Sequence, residues 1–231
     1  MRSGVLSKIK RLVVPTGVAV RAIRGGPFRG LKMNLDLASQ TQVYLGLFER
    51  EVYTQLRTLS AGVATAIDIG AAYGEYTLYF LSRTTARKIL AFEPADDVRV
   101  RLLANLELNH VAHDRRLEIS AKFVGRENND SCCSLDALLS VVPPCFIKMD
   151  IDGGEVAVLE GAGRLLRSID SRWLIETHSP QLEQNCISIL SRAGYQTHVI
   201  RNAWWRLFLP EQRPSEHNRW LIAGKRPDVR L

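Results

Sequence analysis

The sequence predicts an α/β fold: a Rossmann-like, seven-strand, mostly parallel sheet with helices on both faces. Three observations carry that expectation. Short apolar strands alternate with helical stretches through the middle of the chain, which is the pattern of a parallel sheet covered on both sides. A glycine turn, Gly70-Ala71-Ala72-Tyr73-Gly74, follows the first central strand directly. The next strand ends on an acid, in Phe92-Glu93-Pro94.

In chain order, residues 1–30 read as a basic arm, and residues 31–231 as a single domain. At 231 residues the chain has the length of one large domain and can bury a full core. Leu31–Leu37 alternates like a strand, with Leu31, Met33, Leu35 and Leu37 on one side. Residues 43–59 read as one helix with Val43, Leu47, Val52, Leu56 and Leu59 inward, broken by Gly62. Strands follow at Thr65–Gly70, Lys88–Phe92, Leu117–Val124, Cys145–Ile151 and Trp173–Thr177, with late strands at Tyr195–Ile200 and Arg219–Ala223. Helices are expected at Glu75–Ser82, Asp96–Asn109, Leu135–Leu139, Glu155–Leu166 and Gln181–Ala193.

Charge is distributed unevenly. The net charge is +7, yet residues 1–35 carry eight Lys/Arg and no acid, while residues 36–190 carry 15 basic and 21 acidic groups. The excess therefore sits at the ends, and a uniformly basic nucleic-acid coat is excluded. The basic N-terminal segment suits an anionic membrane surface, an acidic partner or packing in a homo-oligomer. Pro15 and Gly17 interrupt its apolar part, so a cleaved signal is not expected. Cys132, Cys133, Cys145 and Cys186 form no metal-finger spacing and fit reduced thiols of a cytoplasmic protein.

In a parallel sheet, ligands bind at the carboxyl ends of the strands. There, Gly70 allows a tight turn, Ala71 leaves room for close approach, and Gly74 lets the helix pack on the strand. Glu93 can accept two hydrogen bonds from a ribose diol. Asp68 precedes the turn, and Ala72 stands where a dinucleotide fold has its middle glycine. A carboxylate repels a pyrophosphate and suits a cation, which favours S-adenosylmethionine over NAD. An NAD-dependent oxidoreductase and a non-catalytic nucleoside-cofactor-binding scaffold are the readings of other classes.

The stretches AIDIGAAYGEYT (66–77), AFEP (91–94), SLDALL (134–139), FIKMDIDGGEVAVLEGA (146–162) and LIETHS (174–179) resemble the FkbM family of class I methyltransferases. YLGLFEREVY (44–53) is similar to the family's lead-in helix, and the resemblance spans residues 31–225. It implies a seven-strand sheet with an antiparallel last strand. It also implies methyl transfer from S-adenosylmethionine, usually to a hydroxyl of a sugar, polyketide or other small molecule. By position, Asp68, Gly70, Ala71 and Gly74 would line the methionine end, Tyr76 and Thr77 would cap the loop, Glu93 would hold the ribose, and Tyr73, Pro94 and Asp150 are also expected at the cofactor. The chain departs from the family at Ala72, usually Asn, and at Asp152, usually Glu. The adenine is expected near Lys122–Gly125.

A second constellation follows the fourth and fifth central strands. Asp150 ends one and is expected where the methyl donor and its acceptor meet, turned away from Lys148 and Asp152. Glu176 and His178 end the next. Transfer to an alcohol is an in-line displacement that needs the proton removed, so His178 is the expected base, with Asp150 or Glu176 orienting it or acting directly. The same three residues suit Mg²⁺ or another divalent ion, which makes metal-assisted O-methyl transfer the alternative mechanism. Trp204-Trp205-Arg206 and the segment from Glu216 to Trp220 suit an acceptor platform. No Asn/Asp-Pro-Pro-aromatic motif is present, which speaks against a nucleic-acid base as acceptor.

Overall fold

The structure, a computed structural model, describes residues 17–138, 141–200 and 217–225. Residues 1–16 of the basic arm and Trp204-Trp205-Arg206 lie outside the described residues. Among those described, no helix is long and apolar enough to cross a membrane.

The chain begins with an antiparallel hairpin, β1 (Val18–Ala22) and β2 (Lys32–Asp36). Its turn buries Ile23, Phe28 and Leu31, and β2 buries Met33 and Leu35. The folded unit therefore starts ahead of residue 31, and residues 18–30 are not part of a loose arm. The charges at Arg21, Arg24 and Arg29 hide this strand and turn in the sequence. Asp36 caps α1 (Leu37–Leu45) by accepting from Ala38 N at 2.9 Å. The single helix expected over 43–59 is two. Gly46, at φ 71°, ends α1 against Gly25, and a 3₁₀ turn over Arg50–Val52 leads into α2 (Tyr53–Ser60).

The main sheet contains β3 (Thr65–Ile69), β4 (Lys88–Phe92), β5 (Leu117–Ser120), β8 (Cys145–Met149), β9 (Ser171–Thr177), β10 (Gln196–Ile200) and β11 (Arg219–Gly224). Their order is β10-β11-β9-β8-β3-β4-β5, and β11 is antiparallel to both neighbours. This is the seven-strand sheet expected from the sequence. Strand Leu117–Val124 is shorter than expected. It stops at Ser120, and β6 (Phe123–Val124) pairs instead with β7 (Cys132–Cys133).

The connecting helices are α3 (Glu75–Arg83), α4 (Asp96–Leu108), α5 (Glu155–Glu160), α6 (Gly163–Ser168) and α7 (Pro180–Arg192). Side chains alternate between two cores with the period of two that a strand imposes. Ala66, Ile89, Ala91, Phe146 and Trp220 face the hairpin and α2 to α4. Ile67, Ile69, Leu90, Cys145, Ile147 and Met149 face α5 to α7. The hairpin docks on α4 by amides as well as apolar contact: Asn34 N donates to Asn105 Oδ1 at 2.8 Å, and Lys32 N to Asn109 Oδ1 at 2.9 Å.

The helix expected over Glu155–Leu166 breaks at Gly161. A Cβ there would lie 2.0 Å from the carbonyl oxygen of Gly125, so the α5–α6 corner presses on the start of another loop. Gly161 has an ordinary φ of −78°, which makes the constraint steric. Gly161→Ala is expected to cost about 1–3 kcal/mol, the usual penalty of overpacking. Gly163→Ala, facing the side-chain ends of Arg167 and Asp136 at ordinary contact distance, is expected to be neutral or slightly stabilising. Urea midpoints of the two variants test this, and equal midpoints would contradict it.

Candidate active site at the carboxyl ends of the strands

The chain leaves β3 for β4 and β5 on one side, then crosses to β8 and β9 on the other. The crevice between β3 and β8 is therefore the switch point where a doubly wound sheet places its ligand. β3 is buried along its whole length and ends in Gly70, at φ 75°. A Cβ on Gly70 would lie 1.9 Å from the carbonyl oxygen of Asp150, so only glycine lets the two strand ends approach. Gly70 N and Ala71 N both donate to Phe92 O at 3.0 Å. Gly74, at φ 93°, opens α3 against Leu102.

Ala72 adopts φ 47° and donates its N–H to Glu93 Oε2 at 2.9 Å, while Ala95 N donates to Glu93 Oε1 at 3.0 Å. Glu93 is thereby fixed beside the glycine turn, and each oxygen keeps acceptor capacity for a ribose hydroxyl. Pro94 follows it, its carbonyl accepting from Arg99 at 3.2 Å. Tyr73 points its ring under the guanidinium of Arg101, at 3.8 Å.

Asp68, Thr77 and Tyr76 are buried beneath the turn. Thr77 Oγ1 donates to Asp68 Oδ2 at 2.7 Å, and both residues are fully buried. Burial raises the Asp68 pKa, against the pull of Lys148 and Thr77. Tyr76 packs among Phe28, Phe80 and Trp220, and its hydroxyl donates to Glu49. Burial, and then Glu49, push this phenol well above its ordinary range.

Lys148 links these groups. Only 3% exposed, its Nζ donates to Gly70 O at 3.0 Å and lies 3.6 Å from both Asp68 and Asp150. The Tyr76 ring lies 4.9 Å away. Burial alone would lower the lysine's pKa, but Asp150, Asp68 and then Glu49 and Glu176 more than reverse this, so the amine stays charged. The expectation that Asp150 turns away from Lys148 is corrected: alternate residues of a strand share a face.

Beside this ammonium lies an acid cluster. The register Met149↔Ile175 sets Asp150 and Glu176 side by side at the ends of β8 and β9. His178 Nδ1 lies 2.8 Å from Glu155 Oε1, and Glu155 is fully buried. A carboxylate only accepts, so Nδ1 carries the proton and Nε2 faces the cluster. Nε2 lies 3.6 Å from Asp150, 3.6 Å from Asp152 and 3.8 Å from Glu176. The bond from Glu155, ahead of the burial that opposes it, raises the His178 pKa. For Asp150, burial would raise the pKa, but Lys148, a hydrogen bond with Glu176 and His178 hold it below the ordinary carboxylate range. The structure thus brings Asp150, Glu176 and His178 into one cluster. Such a cluster can take a proton from a bound hydroxyl or neutralise a cation.

Glu155 stood in the sequence as the acid that opens a helix after Gly153-Gly154, while Glu49 was not singled out as a site residue. Glu49 lies in the apolar lead-in stretch, 4% exposed and at φ 50°, and reaches Tyr76 from a distant loop. Its signal was an acid shortly after a glycine.

Glu75, at the start of α3, is also buried. Burial pushes its carboxyl up to about 7, Asp68 adding to this while its own backbone N–H, Lys148 and Arg101 oppose it. A folded pKa above the unfolded value means that ionisation costs stability as pH rises from the ordinary carboxylate range through about 7. At about 1.4 kcal/mol per pKa unit, the loss is on the order of 3 kcal/mol. Glu75→Gln removes it, so the variant should gain on the wild type between pH 5 and pH 8 in urea unfolding. A stability difference that does not change with pH would contradict this.

The Methyltransferase FkbM domain model matches residues 112–202. The chain is 38% identical over 72 residues to the AMB antimetabolite synthetase AmbE of Pseudomonas aeruginosa, a match covering 31% of this chain and 3% of that protein. Its fold resembles the crystal structure of Methyltransferase FkbM from Methylobacillus flagellatus KT, with a TM-score of 0.56 and 20% identity, over 71% of this chain and 44% of the other. It also resembles M. jannaschii TYW2 in complex with AdoMet, with a TM-score of 0.53 and 12% identity, over 91% and 86% of the two chains. The chain thus spans less than half of the solved FkbM chain and a small fraction of AmbE. The match to the Methyltransferase FkbM domain model covers under half of this chain, within the fold that these solved structures share.

Proposed function

We propose that the protein transfers a methyl group from S-adenosylmethionine to a hydroxyl oxygen of a small molecule, such as a sugar or natural product. The observation that carries this reading is the meeting, at one switch point, of the Gly70–Gly74 turn, Glu93 held against it, and the Asp150–Glu176–His178 cluster.

S-adenosylmethionine supplies the reaction with an electrophilic methyl on a sulfonium. The chain's own residues account for binding. Gly70 and Ala71 leave the turn's backbone open to close approach, and Glu93 offers acceptor capacity to the ribose. Asp68, Asp150, Glu176 and Glu49 around Lys148 make the crevice anionic overall, which suits a cationic cofactor and disfavours a pyrophosphate.

The second set of residues accounts for the acceptor. Its oxygen has to lie in line with the methyl carbon and lose its proton during or after attack. In the ion-free cluster, the atom placed for that proton is Nε2 of His178. Glu155 orients the ring from behind and stabilises the imidazolium that forms, while Asp150 and Glu176 surround the proton with negative charge.

Calorimetry with S-adenosylhomocysteine tests the cofactor half. Binding is expected, weakened at least 10-fold by Glu93→Ala; no binding, or full binding by the variant, would sink the assignment. For the acceptor half, a labelled-methyl assay over a panel of hydroxyl compounds is expected to yield an acid-stable methyl ether. With that acceptor, His178→Gln should lower kcat by about 10²–10⁴ with little change in S-adenosylhomocysteine affinity. An unchanged kcat would contradict the role given to the cluster.

A further inference from the structure

We propose that Asp150, Glu176 and His178 form a divalent-cation site, of the kind that takes Mg²⁺ or Mn²⁺. Each offers one ligand atom, and the three atoms lie within 4.8 Å of one another. Nε2 of His178 is 3.6 Å from an Asp150 oxygen and 3.8 Å from a Glu176 oxygen. In an octahedral site with bonds of about 2.1 Å, adjacent ligand atoms lie about 3 Å apart and opposite ones about 4.2 Å. The two histidine separations fall between these limits, and the Asp150 and Glu176 oxygens lie within 4.8 Å of each other. Two carboxylate oxygens and one imidazole nitrogen form a donor set that such ions accept.

Three features beyond the acids themselves point to a cation. First, the histidine is prepared as a ligand. Nδ1 is bonded to buried Glu155, which leaves Nε2 turned toward Asp150 and Glu176, as in carboxylate–histidine–metal arrangements. Second, Glu155 Oε2 is buried with no hydrogen-bond partner, so an unsatisfied acceptor lies beside the oxygen that holds the ring. Burying such a group is costly unless a partner or positive charge lies near. Third, the nearby ammonium is already engaged: Lys148 is held by Asp68, Gly70 O and Asp150.

The ligands come from two adjacent parallel strand ends, with Asp150 N anchored to Ile69 O at 3.0 Å, so the site is built on rigid backbone. His178 and Asp150 remain partly accessible, which leaves coordination positions open toward the crevice. This assigns the acceptor a class: a small molecule with two neighbouring oxygens, such as a vicinal diol or an α-hydroxy carbonyl compound, able to chelate the ion. The bound hydroxyl becomes acidic enough to give its proton to Asp152, 73% exposed at the rim. The oxygen then forms the bond to the methyl carbon, and the carbon–sulfur bond breaks with its electron pair left on sulfur. The use of the ion rests on the methyl-transfer reading; the site itself does not.

The test uses the full chain, freed of metal by chelation and without S-adenosylmethionine, titrated with Mn²⁺. One Mn²⁺ per chain is expected, with spin-echo spectra showing coupling to a histidine nitrogen. Affinity should fall at least 10-fold in Asp150→Asn and in His178→Gln, and about 10-fold or more in Glu155→Gln, with Glu107→Gln at the surface as the unchanged control. The wild-type spectrum stands even where a variant fails to fold. Absence of binding, no nitrogen coupling, or affinity indifferent to these substitutions (an adventitious ion only) would overturn the site. Methyl transfer at full rate in EDTA would overturn the role of the ion while leaving methyl transfer by the Glu155–His178 pair standing. Mn²⁺ binding as described, in a chain that fails to bind S-adenosylhomocysteine, would uphold the site and sink the methyl-transfer reading.

Discussion

The buried ammonium of Lys148 is the point on which the rest of the structure depends. Lys148 and Asp68 are register partners on adjacent parallel strands, β8 and β3, so their side chains leave the sheet on the same face. A charge removed from water is tolerated only when it is paired and hydrogen-bonded. Lys148 satisfies that condition with Asp68, Asp150 and the carbonyl of Gly70. One side chain therefore ties together the end of β3, the turn after it and the end of β8. Those three pieces form the walls of the crevice. Tyr76 closes the ammonium off from the other side, and through Glu49 it extends the same network to the loop between α1 and α2.

The chemistry is placed around this tie rather than on it. Asp68 and Thr77 are committed to each other and to Lys148, which makes them the rigid back of the site. Glu93 on one flank and the Asp150–Glu176–His178 cluster on the other are fixed by backbone donors and by strand register. The crevice between them carries more negative than positive groups. It is suited to cations, whether a sulfonium with its α-ammonium or a metal ion. The charge pattern of the whole chain is consistent with this division: the acidic middle builds the site, while the positive excess lies at the ends.

What the sequence revealed and what it hid follow from the range of the interactions. The β3 turn, the acid at the end of β4 and the grouping of Asp150, Glu176 and His178 were legible, because each depends on local pattern plus strand order. The break at Gly161 was not, because its cause is the carbonyl of Gly125, far away in the chain. The hairpin before residue 31 was hidden by arginines, and by a strand whose Val18 and Val20 face solvent. Glu49 was hidden because its meaning comes from Tyr76, brought to it only by the tertiary fold. The burial of Tyr76 and Asp68 was not legible, since sequence position does not report depth.

The claim that Lys148 organises the site is tested most directly by a double-mutant cycle of Lys148→Met and Asp68→Asn, followed by urea unfolding. Removing the ammonium alone leaves buried carboxylates uncompensated. Lys148→Met is therefore predicted to cost about 3–5 kcal/mol. The double variant should be less destabilised than the sum of the single ones by at least about 1 kcal/mol. A Lys148→Met protein as stable as the wild type, with the two substitutions strictly additive, would contradict the account.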